Sequence, residues 1–93
     1  MSKKALIIDD DEMTLMSLKN LLKQEGIAFE ISENGNDGIE KLKSSSFDLV
    51  FIDFNLPDMG GDQVLAKIKE KQKLEQEKLE QTNENKIKYI NKR

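Results

Sequence analysis

Apolar and polar positions fall in blocks along this chain rather than mixing evenly. Ala5-Leu6-Ile7-Ile8 and Leu49-Val50-Phe51-Ile52 are unbroken apolar runs. Short runs rich in branched residues fit strands of a parallel sheet that is covered on both faces. They predict strands over residues 4–9 and 48–53. Ala28-Phe29-Glu30-Ile31-Ser32 alternates instead, which predicts a half-exposed edge strand over 28–32. Between the strands the apolar period lengthens. Leu15, Leu18 and Leu22 recur at i, i+3 and i+7, predicting a helix over 13–25. Asp10 to Glu12 place acid at its start, where the helix dipole favours it, and Gly26 stands where it would stop. A second helix is predicted over 36–43, with Ile39 and Leu42 inward. Asn34-Gly35 reads as the turn before it and Ser44-Ser45-Ser46 as its exit. A third helix starts near Asp62, with Val64, Leu65 and Ile68 on its apolar side. The loop ahead of it, Asn55 to Gly61, holds the only Pro and two of the five Gly.

Strand and helix thus alternate three times, which gives a parallel sheet with right-handed crossovers. After Ile68 the texture changes. Between Lys69 and Lys86 the only large apolar residues are Leu74 and Leu79, among good helix formers of both charges. Two Leu cannot sustain a coiled-coil seam over this length. Thr82-Asn83-Glu84-Asn85 is a candidate helix break, and Ile87-Lys88-Tyr89-Ile90 is a small apolar island. We therefore divide the chain into a body, residues 1–68, and a charged helical tail, residues 69–93.

Charge follows the same division. The net charge of −3 combines thirteen Asp/Glu and six Lys/Arg in residues 1–66 with five Asp/Glu and nine Lys/Arg in residues 67–93. The acidic body and the lack of a helix-turn-helix pattern argue against nucleic acid as a partner. There is no Cys and no His. That excludes disulfides, thiolate chemistry, imidazole acid–base catalysis and the usual zinc sites. A Cys-free chain fits the cytoplasm. The apolar stretch after Lys3-Lys4 is too short for a signal peptide, and nothing else is long enough to span a membrane.

Both buried runs end in acid. The first leads into Asp9-Asp10-Asp11-Glu12 and the second into Asp53. Carboxylates at the exits of two parallel strands meet in the crevice where open α/β sheets bind ligands. Close carboxylates repel one another, so the cluster implies a hard cation that prefers oxygen. Taken singly, the first run also fits helix-start acid, and Asp53 fits an ordinary strand end. Asp48 and Asp58 read as turn residues, and Asp11 and Glu12 as helix-start charges.

At this point the residues resemble a family. Leu6-Ile7-Ile8-Asp9-Asp10-Asp11-Glu12, Asn34-Gly35, Phe47-Asp48-Leu49-Val50-Phe51-Ile52-Asp53 and Leu56-Pro57-Asp58-Met59-Gly60-Gly61 are similar in order and spacing to the N-terminal part of the receiver domain of bacterial two-component response regulators. The resemblance covers residues 5–68. It implies a truncated flavodoxin-like α/β fold, a parallel sheet of order 2-1-3. It also implies roles. Asp53 corresponds to the aspartate that accepts a phosphoryl group from a phosphohistidine. Asp10 corresponds to a direct magnesium ligand, and Asp9 to its neighbour that reaches the metal through water. Asn55 would add its backbone carbonyl, and Pro57 and Gly61 would shape the loop presenting it. Magnesium takes six oxygens and keeps several waters, so this donor set suits it.

Family members also carry a Ser or Thr at the end of a fourth strand and a Lys at the end of a fifth. Nothing here matches either: the island at Ile87–Ile90 offers at most a vestigial fourth strand, and no Thr-Ala follows it. With no further buried strands, the third strand becomes an edge, and an apolar edge invites pairing with another chain. We therefore expect a homodimer. The leading reading is a stand-alone receiver-like signalling protein rather than an enzyme. It would bind Mg2+ at Asp9, Asp10, Asp53 and Asn55 and take phosphate on Asp53 from a histidine kinase or phosphotransfer protein. The alternative is a non-phosphorylated interaction or assembly module that keeps half a receiver as a scaffold. A fragment of a longer regulator is the third option.

Overall fold

A computed structural model describes residues 3–79 and 88–92, with side-chain surroundings described through residue 71. The elements are β1 (Lys4–Ile8), α1 (Glu12–Gln24), β2 (Ala28–Ser32), α2 (Gly35–Ser44), β3 (Leu49–Asp53), α3 (Gly61–Leu79) and β4 (Lys88–Lys92). All strand pairings are parallel, and the order across the sheet is β2-β1-β3-β4.

The two apolar runs behave as their composition requires. Ala5, Leu6, Ile7 and Ile8 are all fully buried. A strand sends alternate side chains to opposite faces, and the core divides accordingly. Leu6, Ile8, Val50 and Ile52 pack with Leu42 of α2 and with Val64 and Ile68 of α3. Ala5 and Ile7 pack on the other face with Leu15 and Leu22 of α1. Phe29, Ile31, Leu49 and Phe51 border this second cluster and are partly buried.

Local chemistry sets the helix ends. The Asp11 carboxylate caps α1, accepting from Thr14 N–H at 2.9 Å and Thr14 Oγ1 at 2.7 Å. At the other end Gly26 takes φ 71°. Gly26 N–H donates to Lys23 O and Ile27 N–H to Leu22 O, the paired bonds of a Schellman stop. Asn34 is not a simple turn residue. Its side chain caps α2 by accepting from Asp37 N–H at 2.7 Å. Far along α3, Lys71 Nζ donates to Leu42 O and, at 2.9 Å, to Ser45 O, so α3 caps the C-terminal end of α2.

Four expectations for the distal part change. The order 2-1-3 holds within the sheet, but β3 is not an edge. β4 lies along it, with Leu49 opposite Lys88 and Asp53 opposite Lys92. The physical reason is the one that makes an edge reactive: unpaired N–H and C=O groups on an apolar strand favour any segment that can satisfy them. The island around Tyr89 and Ile90 has the branched and aromatic residues for it. The ground for a homodimer through β3 is thereby removed. Nor is the tail helical throughout, since Lys88–Lys92 is a strand. The division at 68/69 falls inside α3, which runs on to Leu79. The helix break expected at residues 82–85 lies outside the described residues. At 19 residues, α3 is about 28 Å long. The five residues of β3 span only about 17 Å. The helix therefore overhangs the sheet.

Candidate metal centre

Because every strand is parallel, all four carboxyl ends lie at one rim. Asp9 follows β1 directly, and Asp53 is the last residue of β3. Asp9, Asp10 and Asp53 each offer a carboxylate oxygen, and these oxygens lie within 4.8 Å of one another. Asp9 is buried at 1 % exposure, Asp53 is half-buried and Asp10 is exposed. The site thus has a dry floor and a wet mouth.

Backbone bonds fix the floor. Asp9 N–H donates to Ser32 O at 3.0 Å, which ties the residue to the end of β2. Asp9 Oδ1 accepts Asp11 N–H at 2.9 Å, which orients its carboxylate. Across the rim, Asp53 Oδ1 accepts Asn55 N–H at 3.2 Å. Asn55, in turn, faces Gly60 in an isolated antiparallel bridge. Gly61 N–H donates to Phe54 O at 2.9 Å. This close approach requires glycine: a Cβ on Gly61 would sit 2.7 Å from Asp53 O and 2.9 Å from Phe54 Cα.

The donor set fits a hard divalent cation. Oxygens are the only donors, the carboxylates converge, and one side of the cluster opens to water for the remaining ligands. Two carboxylates at the outer separation of 4.8 Å repel by about 3.5 kcal/mol at an effective dielectric near 20, and by less where water screens Asp10. A dication among them would attract each carboxylate and outweigh their mutual repulsion.

The three carboxylates expected as ligands, Asp9, Asp10 and Asp53, come together at one point in space, and Asn55 lies two residues beyond Asp53. Asp58 is not among the expected site residues. That residue reads as a turn former, yet its carboxylate bonds Gly35 N–H at 2.7 Å and Asn36 N–H at 2.9 Å. These two bonds, the Asn36 one foremost, hold its carboxyl below the usual aspartate range. Both ends of the contact lie in segments the sequence marks, Asn34-Gly35 and Pro57-Asp58-Met59. Spacing alone carries no signal that they meet.

The family profile described as "Response regulator receiver domain" matches residues 5–91. The chain belongs to the receiver domain family. The match runs through α3 and into β4, beyond the motifs at residues 5–68. Among relatives, the cell cycle transcriptional regulator CtrA of Caulobacter vibrioides is 35 % identical over 66 residues, covering 71 % of this chain and 29 % of CtrA. The receiver here therefore spans less than a third of that relative's length. Among solved structures, the response regulator TrrA of Thermotoga maritima in complex with Mg(2+)-BeF is 34 % identical at TM-score 0.72, covering 76 % of this chain and 62 % of that one. A second is the co-crystal structure of the Saccharomyces cerevisiae histidine phosphotransfer protein Ypd1 with the receiver domain of Ssk1. It aligns at TM-score 0.81 and 19 % identity over 97 % of this chain and 62 % of that one, a likeness of fold. As a receiver, the chain is a domain of two-component signalling with a flavodoxin-like sheet. Among the described residues no helix is long and apolar enough to cross a membrane.

Proposed function

We propose that this receiver binds Mg2+ through Asp9, Asp10, Asp53 and the backbone carbonyl of Asn55, and accepts a phosphoryl group on Asp53 from a histidine kinase or a phosphotransfer protein. The convergence of three carboxylates within 4.8 Å at the carboxyl rim carries the proposal. A scaffold that only paired with partners would gain nothing from such mutual repulsion. The TrrA complex, 34 % identical, holds Mg(2+)-BeF, which supports the same ion class here.

The residues divide the work. Asp53 lies at the mouth, half-buried, where a carboxylate oxygen can reach an incoming phosphorus. A carboxylate is already nucleophilic and needs no base beside it. Transfer forms the P–O bond to Asp53 and breaks the P–N bond of the donor, whose electron pair returns to the partner's imidazole. Magnesium, when bound, neutralises charge on the transferring group in a loose transition state. Asp9, held from two sides, keeps the rim in register while the phosphoryl group arrives. The donor's approach has a surface to use. Met13 and Met16, one turn apart at the start of α1, are 78 % and 62 % exposed in the helix that follows Asp9 and Asp10 in the chain. Exposed methionines adapt to a partner's side chains.

The test is an intact-mass measurement after incubation with acetyl phosphate and Mg2+. The expected result is the gain of one phosphoryl group, abolished by Asp53→Asn and by chelation. An unchanged mass, or a gain that survives Asp53→Asn, would overturn the assignment.

A further inference from the structure

The loop joining β3 to α3 is fastened at its base and at its tip. The base holds the Asn55–Gly60 bridge and the Gly61–Phe54 hydrogen bond. The tip reaches the first turn of α2. Asp58 Oδ1 accepts Gly35 N–H at 2.7 Å, and Oδ2 accepts Asn36 N–H at 2.9 Å. These belong to the first N–H groups of a helix, which have no intrahelical partner. One carboxylate from a remote loop therefore serves two of them, while Asn34 takes the N–H of Asp37. Met59 closes over the same place, since a Cβ on Gly35 would collide with its Cγ and Sδ. Between the two fastenings lie Leu56, which is buried in the α2–α3 core, and Pro57, whose ring fixes φ. Little slack separates Asn55 from Asp58.

We propose that Asp58 is a positioning residue for the cation site: its clamp on the N-terminus of α2 sets where the loop presents the Asn55 carbonyl beside Asp53. The proposal rests on the magnesium reading above. Asp58 stands outside the Asp9–Asp10–Asp53 cluster. Asp9 and Asp10 follow β1 and Asp53 ends β3, so the carboxylates are brought together by the strands, and the clamp tunes affinity rather than creating it. Coupling of this kind is reciprocal. Cation binding must tighten the clamp by the same factor that the clamp tightens binding.

Two readouts on the full chain test this. One is Mg2+ affinity by calorimetry for wild type, Asp58→Asn, Asp58→Ala and Lys71→Met. The other is amide hydrogen exchange at Gly35 and Asn36 in the wild type, which needs no variant. Asp58→Ala is expected to weaken Mg2+ binding about tenfold. Asp58→Asn, which keeps one acceptor oxygen, should fall between. Lys71→Met loosens the other end of α2 and should leave affinity within about twofold, which separates positioning from general destabilisation. Mg2+ should slow exchange at Gly35 and Asn36. Equal affinities for wild type and both Asp58 variants, or exchange indifferent to Mg2+, would overturn the clamp alone. A wild type that takes up no Mg2+ would overturn the magnesium reading as well.

Discussion

Gly61 lies so close to Asp53 that a Cβ placed on it would stand 2.7 Å from the Asp53 carbonyl oxygen. Gly61→Ala must therefore displace the backbone of the very residue assigned as phosphoacceptor. Alanine is the better helix former by about 1 kcal/mol in a helix interior. Here the position is the first of α3, and backbone overlap of this kind costs about 1–3 kcal/mol. We expect a net loss of stability in urea and a weaker Mg2+ titration in the same variant.

Charge at the rim gives a prediction of opposite sign. Asp10→Asn removes one of three mutually repelling carboxylates and leaves the bonds of Asp9 in place. Without metal, the variant should melt higher than wild type. With Mg2+ at ten times its Kd, wild type should gain about 1.4 kcal/mol by linkage, and the variant at that concentration clearly less. Differential scanning calorimetry with and without chelator reads both effects.

Asp58 supplies a pH dependence. Its hydrogen bonds to Asn36 and Gly35 lower its carboxyl in the folded state. A depressed carboxyl contributes stability above the unfolded value, about 3.9, and the contribution is lost as pH falls through the folded value. The stability gap between wild type and Asp58→Asn should thus be flat near neutrality and close below about pH 4. Urea midpoints measured from pH 7 down to pH 3 test it, and a gap that widened on acidification would contradict it.

The Lys71 ammonium joins α3 to the end of α2 through Leu42 O and Ser45 O. Lys71→Met keeps the stem and removes the donors. The expected loss is about 1–2 kcal/mol, seen as a lower urea midpoint with an unchanged slope.

Covering of β3 by β4 can be tested by removal. A chain ending at Leu79 would bare the backbone of Leu49–Asp53 on its outer side. Such a strand pairs with whatever is near. Light scattering should find the shortened chain associated at concentrations where the full chain is less so. Equal masses would show that β4 does not protect this edge.

Much of this architecture is legible in local pattern. The two apolar runs suffice to place β1 and β3 in the interior, because only strands covered on both faces tolerate them. The Leu15–Leu18–Leu22 spacing is enough for α1, and the acids after Ile8 and Ile52 are enough to bring Asp9, Asp10 and Asp53 together once the strands are parallel. What stays hidden depends on partners distant in the chain. Asn34-Gly35 carries the same composition whether it turns the chain or caps a helix. Asp58 shows its purpose only when the start of α2 is beside it. Tyr89 and Ile90, closely flanked by lysine, suggest no more than a vestigial strand until the open side of β3 is there to receive them.

The overhang of α3 carries a consequence for how this domain tolerates change. Its first turns are the ones that carry Val64 and Ile68 into the core and Lys71 to α2. A helix about 28 Å long beside strands about 17 Å long has a length that the sheet's register does not set. Whole turns could be added or removed after those first turns, or a reporter grafted in, with the carboxylate rim at the opposite end of the molecule undisturbed.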